Sequence, residues 1–76
     1  MSIIPIITPR QILLLLLKAG LKIIGQKGSH IRLKHPVTGK QTTVAMHAKD
    51  LSRSLITTIL KQAGISIQEF LRLLGK

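Results

Sequence analysis

The tripeptide Gly28-Ser29-His30 combines the residue types of this chain that are best suited to chemistry. It stands in a basic stretch that runs from Lys27 to Lys34. An imidazole exchanges protons near neutral pH and nearby cations stabilise negative charge, so the combination suits acid–base chemistry on a phosphodiester. Ser29 is a candidate to bind a phosphate or to orient the imidazole, although serine is equally typical of a turn.

The shortage of acidic residues narrows the mechanisms that are available. Asp50 and Glu69 are the only carboxylate side chains, and the chain has no cysteine. No carboxylate cluster can therefore be built to hold Mg²⁺, and no thiolate site to hold zinc. His35 has the opposite strand parity from His30, so the three histidines His30, His35 and His47 are not expected to converge on one ion. No carboxylate or cysteine close to them completes a set of ligands, and we therefore expect neither a metal nor another cofactor. We interpret His35 as structural.

The formal net charge of +10 at pH 7 predicts a polyanionic partner: a nucleic acid, an anionic membrane or an acidic protein. The alternative explanation of this charge is solubility alone. The positive residues are spread along the chain, which indicates a basic folded surface rather than a disordered arm. RNA suits His30 because its 2′-hydroxyl is a built-in nucleophile, so a histidine near Lys or Arg can promote cleavage without metal. Since Phe70 is the only aromatic residue, recognition would depend on phosphates and groove shape.

Length and composition indicate one small domain. The chain has 76 residues, 45% of them hydrophobic, and we expect residues 8–74 to fold and residues 1–7 to form a tail. The apolar run Ile3–Ile7 is broken by Pro5, and the run Ile12–Leu17 is far shorter than the roughly 20 residues that span a bilayer. Neither run is typical of a signal peptide or a membrane helix. With no cysteine to form disulfides, the chain is expected in the cytoplasm.

The first helix is predicted from about Thr8 to Ala19. Thr8 is a suitable N-cap, Pro9 suits the first helical position, and Gly20 suits the left-handed position after the last turn. Its inward stripe consists of Ile12, Leu15, Leu16 and Ala19. The apolar residues outside that stripe are Leu13, Leu14 and Leu17. This surplus indicates either a helix buried on all sides or a surface that another protein covers.

Three strands should follow, joined by a turn and a hairpin loop. They are predicted at Leu21–Gln26, with Gly25 as a bulge candidate, at His30–Lys34 and at Gln41–Met46. Successive side chains of a strand point to opposite faces of the sheet. The positions predicted to point outward are His30, Arg32, Lys34, Thr43, Ala45 and His47, and those predicted to point inward on the third strand are Val44 and Met46.

The hairpin loop leaves two registers open for the second and third strands. A loop of Val37–Lys40 would set His30 opposite His47. A loop of Pro36–Gly39 would set His30 opposite Ala45, with His47 diagonal to it. Residues directly opposite in an antiparallel pair lie on the same face, so both registers bring the two histidines to one basic face.

Two more helices are predicted after the sheet. The second runs from Ser52 to Ala63 and is ended by Gly64, and a capping box of Ser66 and Glu69 opens a short third helix. The apolar side of the second helix consists of Leu55, Ile56, Ile59, Leu60 and Ala63, and that of the third of Ile67, Phe70, Leu71 and Leu74. The order α-β-β-β-α with a short C-terminal helix predicts an α+β fold whose three-stranded antiparallel sheet has helices on one face only.

The sequence resembles the HicA family, the mRNA interferase toxins of type II toxin–antitoxin systems. The resemblance extends from about Thr8 to Leu74 and rests on these segments: Lys18-Ala19-Gly20-Leu21, Gln26-Lys27-Gly28-Ser29-His30, Val44 to His47, Leu51, and Ile59-Leu60-Lys61-Gln62-Ala63-Gly64-Ile65-Ser66. The chain has Ala45 where the family commonly has proline, and Ser54-Leu55 where it often has Gly-Thr. The resemblance implies a double-stranded-RNA-binding-like fold, RNA cleavage independent of the ribosome with His30 as catalytic residue, and neutralisation by a HicB antitoxin.

Residues and resemblance together predict a toxin that cleaves mRNA without metal, with His30 as general acid/base. The expected RNA contacts are Lys27, Arg32 and Lys34, and the auxiliary candidates are Ser29 and His47. Two alternatives remain: a non-catalytic RNA-binding module of the same fold, and a membrane-active basic amphipathic protein. The expected partner is an acidic HicB-type antitoxin, and self-association through the leucines of the first helix is the alternative.

Overall fold

Residues 6–75, described here by a computed structural model, form an antiparallel sheet of three strands with three helices. The elements are α1 (Pro9–Lys18), β1 (Lys22–Lys27), β2 (His30–Lys34), β3 (Gln41–Ala45), α2 (Arg53–Ala63) and α3 (Ile67–Leu73). The strand order in the sheet is β1-β2-β3. This arrangement confirms the predicted α+β, double-stranded-RNA-binding-like fold. Within the described part of the chain, no helix is both long and apolar enough to cross a membrane.

Local capping signals set the helix boundaries. The Thr8 hydroxyl accepts the N–H of Gln11 at 3.2 Å, and the Gln11 side chain accepts the N–H of Thr8 at 2.8 Å, which completes a capping box ahead of Pro9. Gly20 follows the last turn of α1 with φ 101°, a conformation that favours glycine. The predicted start and end of α1 are therefore confirmed.

The C-terminal helices follow the predicted caps with one difference. Ser52 caps the start of α2, and Gly64 ends it in the left-handed conformation. Ser66 caps α3 by accepting the N–H of Glu69 at 3.1 Å. The carboxylate of Glu69 binds Arg72 on the next turn rather than closing a capping box. An arginine on the same helix face competes successfully for that carboxylate, because it offers two charge-assisted hydrogen bonds.

The core lies between the helices and one face of the sheet. Its buried apolar side chains are Ile7, Ile12, Leu15, Leu16, Leu21, Ile31, Leu33, Val44, Leu51, Ile56, Ile59, Leu60, Ala63 and Phe70. Buried Thr42 of β3 donates a hydrogen bond to the Gln62 side chain of α2 at 2.9 Å, which ties the helix to the sheet. Leu55 was predicted to be inward but is 42% exposed, because it lies at the margin of the α2 stripe.

The folded part begins earlier than predicted. Ile7, which the sequence placed in the tail, is 6% exposed, and its carbonyl accepts the N–H of Leu51 at 3.1 Å. Burial and this hydrogen bond together hold Ile7 against the segment that leads into α2. Residues 1–5 of the predicted tail lie outside the described residues.

The strand pairing settles the register that the sequence left open. His30 of β2 lies opposite Ala45 of β3, and the His35 N–H donates to the Lys40 carbonyl at 2.8 Å, so the loop is the one at Pro36–Gly39. Between β1 and β2 the register shifts once, between Ile23 and Gly25. A bulge was predicted at Gly25; the extra residue is Ile24, one position earlier, and Gly25 itself pairs with Arg32.

Candidate active site

One face of the sheet has none of the helices of residues 6–75 against it, and the residues of the predicted site lie on this free face. Along β2, exposed His30, Arg32 and Lys34 alternate with buried Ile31 and Leu33. The alternation arises because the apolar side chains are drawn into the core beneath, which turns the polar ones to solvent. The outward positions predicted for β2 are confirmed.

Strand β1 adds two lysines to the free face. Lys27 lies opposite His30, and Lys22 lies opposite Lys34, so each shares the outward face with its partner. Lys27 was predicted as an RNA contact and stands beside the histidine. The sequence analysis did not place Lys22 on this face. The bulge candidate at Gly25 could have indicated it, because an extra residue in β1 puts Lys22 and Lys27 on the same side of the sheet.

A tight turn between β1 and β2 places Ser29 against the end of β3. Gly28 has φ 60°, a conformation that glycine adopts without strain, and its carbonyl accepts the Gln26 side-chain amide at 3.1 Å. The Met46 N–H donates to the Ser29 carbonyl at 2.7 Å, which extends the β2–β3 pairing past Ala45. The backbone of Ser29 is thus fixed beside the residue that precedes His47.

The two histidines of the free face come together as predicted. His47 is diagonal to His30, and their ring centroids are 5.5 Å apart with an edge-on angle of 61°. The hydroxyl oxygen of Ser29 lies 2.8 Å from Nδ1 of His47. His47 and His30 are both exposed, and within residues 6–75 the His30 ring makes no hydrogen bond of its own. One imidazole is therefore held by a neighbouring hydroxyl, and the other is open to solvent.

His35 is placed apart from these two rings, and its role is structural. It is half-buried at the other end of β2, where its Nδ1 accepts the N–H groups of Val37 at 3.1 Å and Thr38 at 3.2 Å. These two bonds hold the hairpin loop that sets the β2–β3 register. The structure agrees with the sequence interpretation of this residue.

Neither carboxylate lies on a strand of the sheet. Glu69 is in the helix layer, where Arg72 binds it at 2.6 Å, and this hydrogen bond lowers the pKa of the Glu69 carboxyl. Asp50 follows β3 in the segment that leads to α2. Among residues 6–75, no three side chains of the metal-binding types converge.

The candidate site is an open surface rather than a pocket. The chain has a cavity of about 270 Å³ at the other end of the sheet, lined by His35, Lys40, Glu69 and their neighbours. That cavity does not include His30 or His47. A basic face with exposed imidazoles fits an extended polyanion better than it fits a small molecule.

Comparison with known proteins identifies the family. Residues 9–65 match the model of the HicA toxin of bacterial toxin–antitoxin systems. No curated protein matches the chain. The matched segment runs from α1 through α2 and includes the turn at Ser29 and both histidines of the free face. Since the match covers most of the sequence, the chain belongs to the HicA family of toxins.

Proposed function

We propose that this toxin is a metal-independent endoribonuclease in which His30 acts as general acid/base on mRNA. The observation that carries the proposal is the exposed ring of His30, which stands on a free basic face with a second imidazole 5.5 Å away. Family membership supports the role as a toxin, and the geometry supports the chemistry. An imidazole near neutral pH is suited to both halves of a proton exchange.

The reaction needs only groups that the free face and the RNA provide. The 2′-oxygen of a ribose attacks the adjacent phosphorus, so that a P–O2′ bond forms and the P–O5′ bond breaks. His30 accepts or donates a proton in this exchange. Lys27, Arg32 and Lys34 stabilise the negative charge that develops on the phosphoryl oxygens. The products are a 2′,3′-cyclic phosphate and a free 5′-hydroxyl.

The cations of β2 are arranged to follow an RNA strand. His30, Arg32 and Lys34 are successive outward residues of one strand, and such residues are about 7 Å apart. Side chains in such a row can contact successive phosphates of one RNA strand. Since no aromatic side chain is present on the free face, binding should depend on charge and little on base identity.

Cleavage should continue in the presence of EDTA and should leave 2′,3′-cyclic phosphate ends. The physical reason is that the 2′-hydroxyl is the nucleophile and cations of the protein replace a metal ion. The measurement is digestion of a labelled RNA by the purified protein, followed by mass spectrometry of the ends. An RNA with a 2′-deoxy sugar at the cleaved position is the matched control and should resist. A strict requirement for Mg²⁺, or 3′-hydroxyl ends only, would refute the mechanism.

A non-catalytic RNA-binding module is the second candidate function. The basic free face favours it, because phosphate binding by Lys27, Arg32 and Lys34 does not require the histidines. The two functions differ in one result. An RNA-binding module would bind the labelled RNA and return it intact after long incubation at high protein concentration.

We further propose that an acidic HicB-type antitoxin inhibits the toxin by covering the free face. The net charge of +10 favours association with a negative protein surface. Leu14 and Leu17 are 52% and 40% exposed on α1, in the helix layer, so a partner that blocks His30 must bind a different side of the molecule. The leucines are left for a second contact with the antitoxin or for self-association.

Co-expression with the adjacent reading frame should give a stable complex that does not cleave RNA. Inhibition should be strongest at low salt, because attraction between charged surfaces is screened by ions. The measurement is affinity capture followed by the cleavage assay on free and bound toxin. A Thr58→Ala variant, which removes an exposed hydroxyl from α2 in the helix layer, is the control, and its inhibition should remain if the free face is what the antitoxin covers. A complex that cleaves RNA as fast as the free toxin would contradict this model.

A further inference from the structure

The hydrogen bond between Ser29 and His47 joins residues that are far apart in the sequence. It measures 2.8 Å from the serine hydroxyl oxygen to Nδ1 of the ring. The same ring lies edge-on to His30, with centroids 5.5 Å apart. The bond is exposed, and an exposed hydrogen bond adds little to the stability of a fold, because water competes for both partners. Its position points instead to a role in the reaction.

We propose that His47 carries out the second proton transfer of RNA cleavage and that Ser29 is its positioning residue. This inference rests on the proposed function, and it assigns the group that the His30 mechanism leaves unnamed. The cleavage requires one group to take the proton of the 2′-hydroxyl and another to give a proton to the departing 5′-oxygen. The entering and leaving oxygens lie on opposite sides of phosphorus in an in-line displacement, so one ring cannot serve both at once.

The spacing of the two rings suits this division. With centroids 5.5 Å apart, His30 and His47 can each come within hydrogen-bond reach of a different oxygen of one phosphodiester. The electron pair of the 2′-oxygen forms the new bond to phosphorus, and the pair of the broken bond leaves with the 5′-oxygen. One imidazole ends the step protonated and the other neutral, and exchange with water restores both.

The serine hydroxyl can hold His47 in either state. A hydroxyl both donates and accepts, so it bonds to Nδ1 whether or not that nitrogen carries a proton. With Nδ1 held by Ser29, the opposite nitrogen, Nε2, is the one left to meet the substrate. A carboxylate in this place would favour the charged ring, whereas a hydroxyl leaves the ring free to cycle.

The backbone keeps Ser29 in place while it holds the ring. Its carbonyl accepts the N–H of Met46 at 2.7 Å, next to His47 in the chain. Gly28 provides the turn conformation, with φ 60°, that brings the serine to the end of β3. Ser29 is thus attached twice to the turn that follows β3, once through its backbone and once through its side chain, and this double attachment fixes the direction of the His47 ring.

The test compares four variants with the wild type in single-turnover cleavage. His47→Ala should lower the cleavage rate about 10²–10⁴-fold, as expected for loss of a general acid or base, and imidazole added to the buffer should restore part of it. Ser29→Ala should lower the rate by roughly 3- to 10-fold, the effect of losing one hydrogen bond. Ser29→Thr keeps the hydroxyl and should stay near the wild-type rate. Thr58→Ala removes an exposed hydroxyl from α2 in the helix layer and is the control.

The pH dependence separates a role in the reaction from a role in folding. The wild-type rate should give a bell-shaped profile, and His47→Ala should lose one limb of it while its RNA affinity and its thermal midpoint stay the same. A His47→Ala variant that cleaves at the wild-type rate, or one that imidazole fails to restore, would overturn this inference and leave the proposed function standing. If the wild-type protein itself does not cleave RNA, both are overturned.

Discussion

His30→Ala should slow RNA cleavage by about 10²–10⁴-fold and should abolish growth inhibition by the expressed toxin. The ring is exposed on the free face and lies edge-on to His47, so its removal leaves no cavity in the core. Lys27, Arg32 and Lys34 remain in place and continue to bind phosphates. The expected variant is therefore folded, able to bind RNA and nearly inactive.

Two measurements make the His30→Ala result specific. RNA affinity should match the wild type and fall steeply between 50 and 200 mM salt, with each phosphate contact adding roughly 0.7–0.9 to the log–log slope. Lys61→Ala, which removes an exposed cation from α2 in the helix layer, is the matched control and should cleave normally. Full cleavage by folded His30→Ala would remove this residue from the mechanism, and loss of RNA binding together with cleavage would assign it to binding instead.

Phe70→Ala should destabilise the fold by about 3–5 kcal/mol. Phe70 is the only aromatic residue of the chain, is fully buried and is the one buried residue of α3. A domain of this size has a free energy of unfolding of roughly 4–11 kcal/mol, so the loss is a large part of the total. Urea titration should show a lower midpoint with a similar slope.

The control for Phe70 is a large apolar side chain that is already in water. Leu14 is 52% exposed, and Leu14→Ala should change the free energy of unfolding by about 0.5 kcal/mol or less. An unchanged urea midpoint for Phe70→Ala would show that α3 does not contribute to the core. The matched HicA segment ends at residue 65, so this helix lies beyond it and yet supplies a central core side chain.

Local signals explain why the elements could be predicted. Each of these signals involves residues only a few positions apart. They are the N-cap at Thr8, the glycines after α1 and α2, and the alternation along β2. Whether a residue at the edge of a helix stripe or just outside a helix is buried depends on parts of the chain that are distant in sequence. The carbonyl of Ile7 accepts the N–H of Leu51, far along the chain, and Ile7 is buried, whereas Leu55, at the margin of the α2 stripe, is exposed. The local pattern shows neither outcome.

The candidate site was predictable in its residues but only partly in its contacts. The basic face and the nearness of His30 to His47 follow from strand alternation, whichever loop is chosen. The hydrogen bond from Ser29 to His47 depends on the register that places Met46 beside Ser29. That register is decided by the loop at Pro36–Gly39, which the sequence left as one of two alternatives.

The bulge in β1 places both lysines of this strand on the free face, although no side chain of the strand is part of the core. Lys22 and Lys27 are an odd number of positions apart, so without the extra residue between Ile23 and Gly25 they would point to opposite sides of the sheet. No side chain of β1 is buried, so the core does not penalise a shift of this edge strand. We expect a one-residue deletion there to preserve the fold while turning a lysine away from the free face. Chain length in this strand, together with its two lysines, therefore decides how basic the free face is.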